Sequence, residues 1–151
     1  MTVKGGDAAM EIRYIHEPTD LQCGQAVLAM LTGLKVSQVT GELRNERETN
    51  LREMKAFLRG HGFRIADDRV PVREKGELPA LCLLSLETPR CWHWSLYCGG
   101  LFYDPEHGIL ADFPESKRKY YWEIEPEGKN ETCSFSDTQS LQNRGKLLIQ
   151  D

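Results

Sequence analysis

Cys23, His93 and Asp104 are the residues of this 151-residue chain whose types and order point to chemistry. Cys23 stands at the head of a helical pattern, where backbone N–H groups point outward and the helix dipole favours an anion. The thiolate is the nucleophilic form of cysteine, so the position suits a reactive sulfur. Gly24 follows directly and, having no Cβ, lets a substrate backbone come close. The same cysteine also reads as a small core residue on a stripe with Ala26, Val27 and Met30. A partner base separates these readings. His61 and His107 fall in turn sequences and His16 in a loop before Pro18, whereas His93 opens a strand pattern between Trp92 and Trp94.

Hairpin register brings a carboxylate to that histidine. Gly99-Gly100 suits a two-residue turn, which pairs Cys98 with Leu101 and, further out, Ser95 with Asp104. His93 and Asp104 then become diagonal neighbours on one face, about 7–8 Å apart at Cα and within side-chain reach. Trp94, Leu96, Cys98, Leu101 and Tyr103 share the opposite, apolar face. A slip of one residue would destroy both faces together. Thiol, imidazole and carboxylate make the nucleophile, base and orienting group of acyl transfer. Read blandly, His93 is an ordinary strand histidine and Asp104-Pro105 a turn opener.

The elements that must position these residues follow from capping signals and period. Thr19 with Gln22 fits a capping box, and Ala26, Val27, Met30, Leu31 and Leu34 step as a buried helix face, giving a helix over about 20–32 stopped by Gly33. A short second helix starts at Ser37. A third runs from an Asn50/Glu53 cap through Leu51, Met54, Phe57 and Leu58 to Gly60. A short strand reads at 12–15 before the first helix, and after Gly60 the chain changes period, with strands at 63–65, 78–86, 92–97 and 101–104 and a polar connection over 67–77. Helices first and strands after predict an α+β domain over 12–125. Residues 1–11 read as a loose lead-in. Residues 126–151 read as a polar extension, with an edge strand at 146–149. Lys117-Arg118-Lys119 beside Tyr120-Tyr121-Trp122 reads as a solvated turn after a strand, or else a partner-binding edge.

Composition excludes several classes. A net charge of −4 disfavours sequence-independent binding of nucleic-acid phosphates, and no apolar run reaches the roughly 18 residues of a membrane span. The first seven residues show no apolar signal region, so a cytoplasmic location is expected, or delivery to a host cell by a non-classical secretion route. Five cysteines, an odd number without a CxxC pair, read as reduced thiols. Cys82, Cys91, His93 and Cys98 look like soft metal ligands, but an extended strand holds Cys91 and Cys98 about 23 Å apart at roughly 3.3 Å per residue. No metal and no cofactor is implied. Oligomeric state is not legible.

Gln22-Cys23-Gly24-Gln25-Ala26-Val27-Leu28-Ala29-Met30-Leu31 resembles the nucleophile helix of papain-like cysteine peptidases. The nearest variety is the small bacterial kind that processes bacteriocins at double-glycine leaders. Gly60-His61-Gly62-Phe63, Leu78-Pro79-Ala80-Leu81, His93-Trp94-Ser95-Leu96-Tyr97 and Tyr103-Asp104-Pro105 extend the similarity over residues 15–110. The resemblance implies a papain-like α+β fold, N-terminal helices packed on an antiparallel sheet, and hydrolysis of amide bonds in a peptide or protein through an acyl-enzyme, by peptidase or glutamine deamidase action. It implies Cys23 as nucleophile, His93 as general base and then acid, and Asp104 as its orienting partner. Trp92 and Trp94 are then groove walls beside Gly24. Such peptidases usually place an oxyanion-hole glutamine about six residues before the nucleophile, and here that position is Glu17, with His16 or Gln22 as possible substitutes. An ionised Glu17 repels an oxyanion, which opens the alternative of a papain-like fold that binds peptide or protein without turnover.

Overall fold

Residues 2–5 and 8–127 are described in the computed structural model, and three α-helices, a short 3-10 helix (Lys75–Glu77) and nine strands form the regular structure among them. Helix α1 (Cys23–Thr32) starts later than the Thr19/Gln22 pattern suggests. Thr19 closes a turn instead: its carbonyl accepts from Gln22 N at 3.1 Å and its hydroxyl from Leu21 N at 3.3 Å. Gln22 is left as an N-cap without a side-chain cap bond, and Cys23 becomes the first helical residue. Gly33 ends α1 at φ 80°, the left-handed conformation that glycine adopts without a Cβ penalty.

Every residue from Gly24 to Leu31 is buried, so α1 is not the one-sided helix its apolar stripe implies. Helices α2 (Val36–Leu43) and α3 (Leu51–Gly60) flank it. The loop between them is tied down by Gln25 Nε2, which donates to the carbonyls of Asn45 (2.9 Å) and Arg47 (2.8 Å). The α3 cap is the one read from sequence: Asn50 Oδ1 accepts from Glu53 N at 2.8 Å and Glu53 Oε1 from Asn50 N at 3.0 Å. Helix α2 begins at Val36 rather than Ser37, because Gln38 Oε1 reaches back to Lys35 N at 2.9 Å.

Residues 1–11, expected to be a loose lead-in, hold an antiparallel pair, β1 (Thr2–Gly5) and β2 (Ala8–Glu11). The missed signal is the Gly6-Asp7 dipeptide linking them, of a hairpin-favoured kind. Residues 12–15 are not a strand. Ile12 instead joins the core, and the Tyr14 hydroxyl donates to the Asp104 carbonyl at 2.6 Å.

The main sheet is antiparallel throughout. It comprises β3 (Phe63–Ile65), β4 (Val70–Pro71), β5 (Leu81–Glu87), β6 (Trp92–Cys98), β7 (Leu101–Asp104), β8 (Gly108–Leu110) and β9 (Lys119–Pro126). Its order is β3-β9-β5-β6-β7-β8, with β4 also on β9. The β6–β7 register is the one deduced from Gly99-Gly100, with Cys98 opposite Leu101 and Leu96 opposite Tyr103. Lys119–Trp122 was expected in or beside a solvated turn but lies in β9, between β5 and the β3 and β4 strands. Residues 128–151, including Cys133 and the expected strand at 146–149, lie outside the described residues.

Both faces of the sheet are covered. Val27, Leu28, Met30 and Leu31 pack with Leu83, Leu96, Cys98, Tyr103 and Trp122 on one side. Cys82, Leu84, Leu86, Tyr97 and Phe102 form a second cluster on the other. Two covered faces explain the unbroken apolar run of β5, and each fully buried leucine contributes about 1.5–3 kcal/mol. They also correct the expectation that the second face belongs to His93 and Asp104: those residues occupy only its end, beside apolar neighbours.

Candidate active site

The N-terminus of α1 abuts the start of β6, and this junction builds the site. Trp94 N donates to Cys23 Sγ at 3.4 Å. Cys23 Sγ, a ring nitrogen of His93 and a carboxylate oxygen of Glu17 all lie within 4.8 Å of one another. His93 Nε2 is taken by Asp104 Oδ1 at 3.0 Å, which leaves Nδ1 as the nitrogen free to face the sulfur. His93 and Asp104 are both buried. Burial opposes a charged His93, but hydrogen bonds to Asp104 and Cys23 outweigh it and push the imidazole pKa up. Burial also opposes an ionised Asp104, yet the bond and charge of His93, with help from Ser95 and His107, hold its carboxyl well below the usual carboxylate range.

Asp104 serves more partners than the sequence suggested. Ser95 Oγ donates to its Oδ2 at 2.8 Å, as the deduced register allows. Its Oδ1 accepts from the backbone N–H groups of Glu106 and His107, each at 3.0 Å, and meets His107 Nδ1 at 2.9 Å. His107 was read as a turn residue only. The Asp-Pro-x-His spacing was the available signal, because an aspartate at a turn start accepts from N–H groups two and three residues on.

A cleft of about 550 Å³ opens over Cys23 and His93, with Glu17, Asp20, Glu48, Arg90, Trp92, Trp94 and Glu106 in its walls. Trp92 is exposed and Trp94 half-buried, its Nε1 donating to the Thr49 carbonyl at 3.1 Å. Gly24 is placed differently from the expectation. It is buried away from the cleft lining, and a Cβ there would fall 1.9 Å from Thr49 Oγ1. Close packing requires this glycine, not access for a substrate. Gln22 turns its amide to the Glu46 carbonyl at 3.2 Å and is absent from the cleft walls. His16 is exposed and likewise absent from them.

Glu17 does reach the site. Its backbone N–H donates to the Pro105 carbonyl at 2.9 Å, which pins the loop before α1 against the turn after β7. The residue is 7% exposed, and Oε1 has no hydrogen-bond partner among the described residues. Burial raises its pKa above the ordinary glutamate value, against the pull of His93. The other thiols differ in kind. Burial pushes Cys82 and Cys98 up, the latter to about 11, which keeps both as thiols, while Cys91 is exposed at the cleft rim.

No family model matches the chain, and no curated protein matches it. A solved structure does: a double glycine motif protease from an AMS/PCAT transporter, determined in complex with the leader peptide. The two share 18% identity over 77% of this chain and 92% of that one, with a TM-score of 0.55. The α+β fold is papain-like. Helices at the N-terminal end, with Cys23 the first residue of the foremost, and an antiparallel sheet carrying His93 and Asp104 agree with that fold.

Proposed function

We propose that the chain is a cysteine hydrolase that cleaves amide bonds of a peptide or protein substrate through an acyl-enzyme. The observation that carries this reading is the buried His93–Asp104 pair held beside a thiol at the first residue of α1. A histidinium at that distance pairs with a thiolate, which attacks the substrate carbonyl. His93 then passes its proton to the leaving amine, and afterwards takes one from the water that releases the acyl group. Asp104 on Nε2 keeps Nδ1 turned to the sulfur. The Cys23 N–H, at the first helical position, is one of the donors with no intrahelical partner and aims at the oxyanion. Peptidase and glutamine deamidase action differ only in the leaving group. A peptide substrate is supported by the leader peptide bound in the similar protease.

Brief treatment of the native chain with iodoacetamide, read by mass spectrometry, tests the reading. Cys23 is expected to label faster than the exposed Cys91, and His93→Ala to slow Cys23 alone. Equal labelling of both thiols, indifferent to His93→Ala, would sink it.

Glu17 favours a second reading, a papain-like peptide-binding module without turnover, because a carboxylate near Cys23 opposes an oxyanion. Glu17→Gln separates the two. In an enzyme with a weak oxyanion hole it adds a donor of a kind worth about 2.7–4 kcal/mol, so peptide turnover rises by on the order of a hundredfold. In a binding module it changes nothing.

A further inference from the structure

We propose that the cleft holds a single Zn²⁺ ion on Cys23 Sγ, a ring nitrogen of His93 and the Glu17 carboxylate, with water as fourth ligand, and that this ion keeps the thiol unreactive. The blocking role rests on Cys23 being the nucleophile, whereas the binding does not. Thiolate, imidazole and carboxylate are the zinc donor set, and three protein ligands with one open position is the arrangement of an accessible zinc site. The three donor atoms already lie within 4.8 Å of one another. Bond lengths of about 2.0–2.3 Å place tetrahedral ligands roughly 3.3–3.6 Å apart, so small side-chain rotations close the site.

Glu17 supplies the independent observation. More than nine-tenths of the residue is buried, one of its carboxylate oxygens lies within 4.8 Å of the sulfur and an imidazole nitrogen, and Oε1 lacks any partner among the described residues. A buried acceptor without a donor calls for a cation or a proton. The outer shell is present as well. Asp104 on His93 Nε2 makes the carboxylate–histidine–metal relay that fixes a ligating ring, and Trp94 N–H supports the sulfur. Asp20 and Glu48 on the cleft walls add negative field at the mouth. His93 also clusters with Glu106 and His107, but that grouping is already committed: Glu106 pairs with Arg90 at 3.2 Å, and His107 Nδ1 rests on Asp104. On binding, the one proton held by the Cys23–His93 thiolate–imidazolium pair leaves to solvent with any proton on Glu17, His93 keeps its Nε2 proton on Asp104, and the two anionic ligands neutralise the ion.

Cobalt(II), which shares zinc's preference for these donors and absorbs light, is the probe. Titrated into the full chain, it should give a thiolate-to-cobalt band in the near ultraviolet and tetrahedral bands in the visible, saturating at one equivalent and erased by Zn²⁺. Cys23→Ala should remove the thiolate band, Cys91→Ala should leave it, and Glu17→Gln should weaken binding by on the order of 10–100-fold, the loss that even an outer-shell change brings. Absence of the band, a band that follows Cys91, or undiminished binding by Glu17→Gln overturns the site. Iodoacetamide labelling of Cys23 should stop at saturating zinc, and labelling that continues overturns the blocking role. In the chelator-treated chain the same labelling reports on the nucleophile alone. Fast labelling with no cobalt band removes the metal site and keeps the hydrolase. A cobalt band with slow labelling does the reverse.

Discussion

Asp104 is the residue on which the candidate site turns. It accepts from two imidazoles, one hydroxyl and two backbone N–H groups, so it orients His93 and closes the turn after β7 at once. Asp104→Asn should therefore slow Cys23 labelling less than His93→Ala does. The amide oxygen can keep the His93 contact while its NH₂ turns to Ser95 Oγ, which accepts as readily as it donates. Asp104→Ala leaves the two buried donors, His93 and Ser95, without an acceptor, at about 1–3 kcal/mol each, frees the turn donors of Glu106 and His107, and should lower the melting temperature far more. Labelling rates and thermal unfolding of the variants, measured side by side, check this. An asparagine variant as slow as His93→Ala at unchanged melting temperature would mean that charge, not orientation, is what His93 requires.

At the scale of elements, the site depends on how tightly α1 sits against the loop before α3. Gln22 and Gln25 hold that loop by its carbonyls, and Trp94 Nε1 holds it from the sheet. Gly24 is the point of closest approach. Besides the Thr49 clash, an added methyl would stand 3.1 Å from both Met54 Sδ and Trp94 Cδ1. Gly24→Ala should destabilise the fold by about 1–3 kcal/mol through overpacking. Thr49→Ala in the same chain should recover part of that loss, because it deletes the atom in the way. Denaturant unfolding of the two single variants and the double variant gives the coupling; strict additivity would show that the strain lies elsewhere.

For the whole molecule, the Asp104 cluster links stability to acid. Burial alone would raise the carboxyl pKa, but the bond and charge of His93, then Ser95 and His107, bring it from 3.8 to about 2. A group whose folded pKa is depressed contributes stability that is present above its unfolded value and lost as pH falls through the folded one. The chain should therefore lose stability between about pH 4 and pH 2, as this carboxylate is protonated and its donors lose their acceptor. Asp104→Asn should be less stable at neutral pH and should show a shallower decline across that window. Urea midpoints at a series of pH values test this, and parallel profiles for the two proteins would assign the acid response to other groups.

Local order was legible because it is encoded locally. The Asn50/Glu53 cap, the Gly33 stop and the Gly99-Gly100 turn each rest on a few adjacent residues, and the register that aligns Ser95 with Asp104 follows from turn length alone. Cys23 at a helix start and His93 and Asp104 on one face were legible for the same reason. Sequence did not show that Lys119–Pro126 enters the sheet between β5 and β3, because strand order is set by burial against distant partners. Nor did it show the true role of Gly24, which depends on Thr49, or the second imidazole on Asp104. Residue types, their order and their local geometry were thus determined by the sequence itself. That Cys23, His93 and Glu17 converge on one cleft was decided by tertiary packing, since only the docking of α1 against β6 brings together groups separated by some seventy residues of chain.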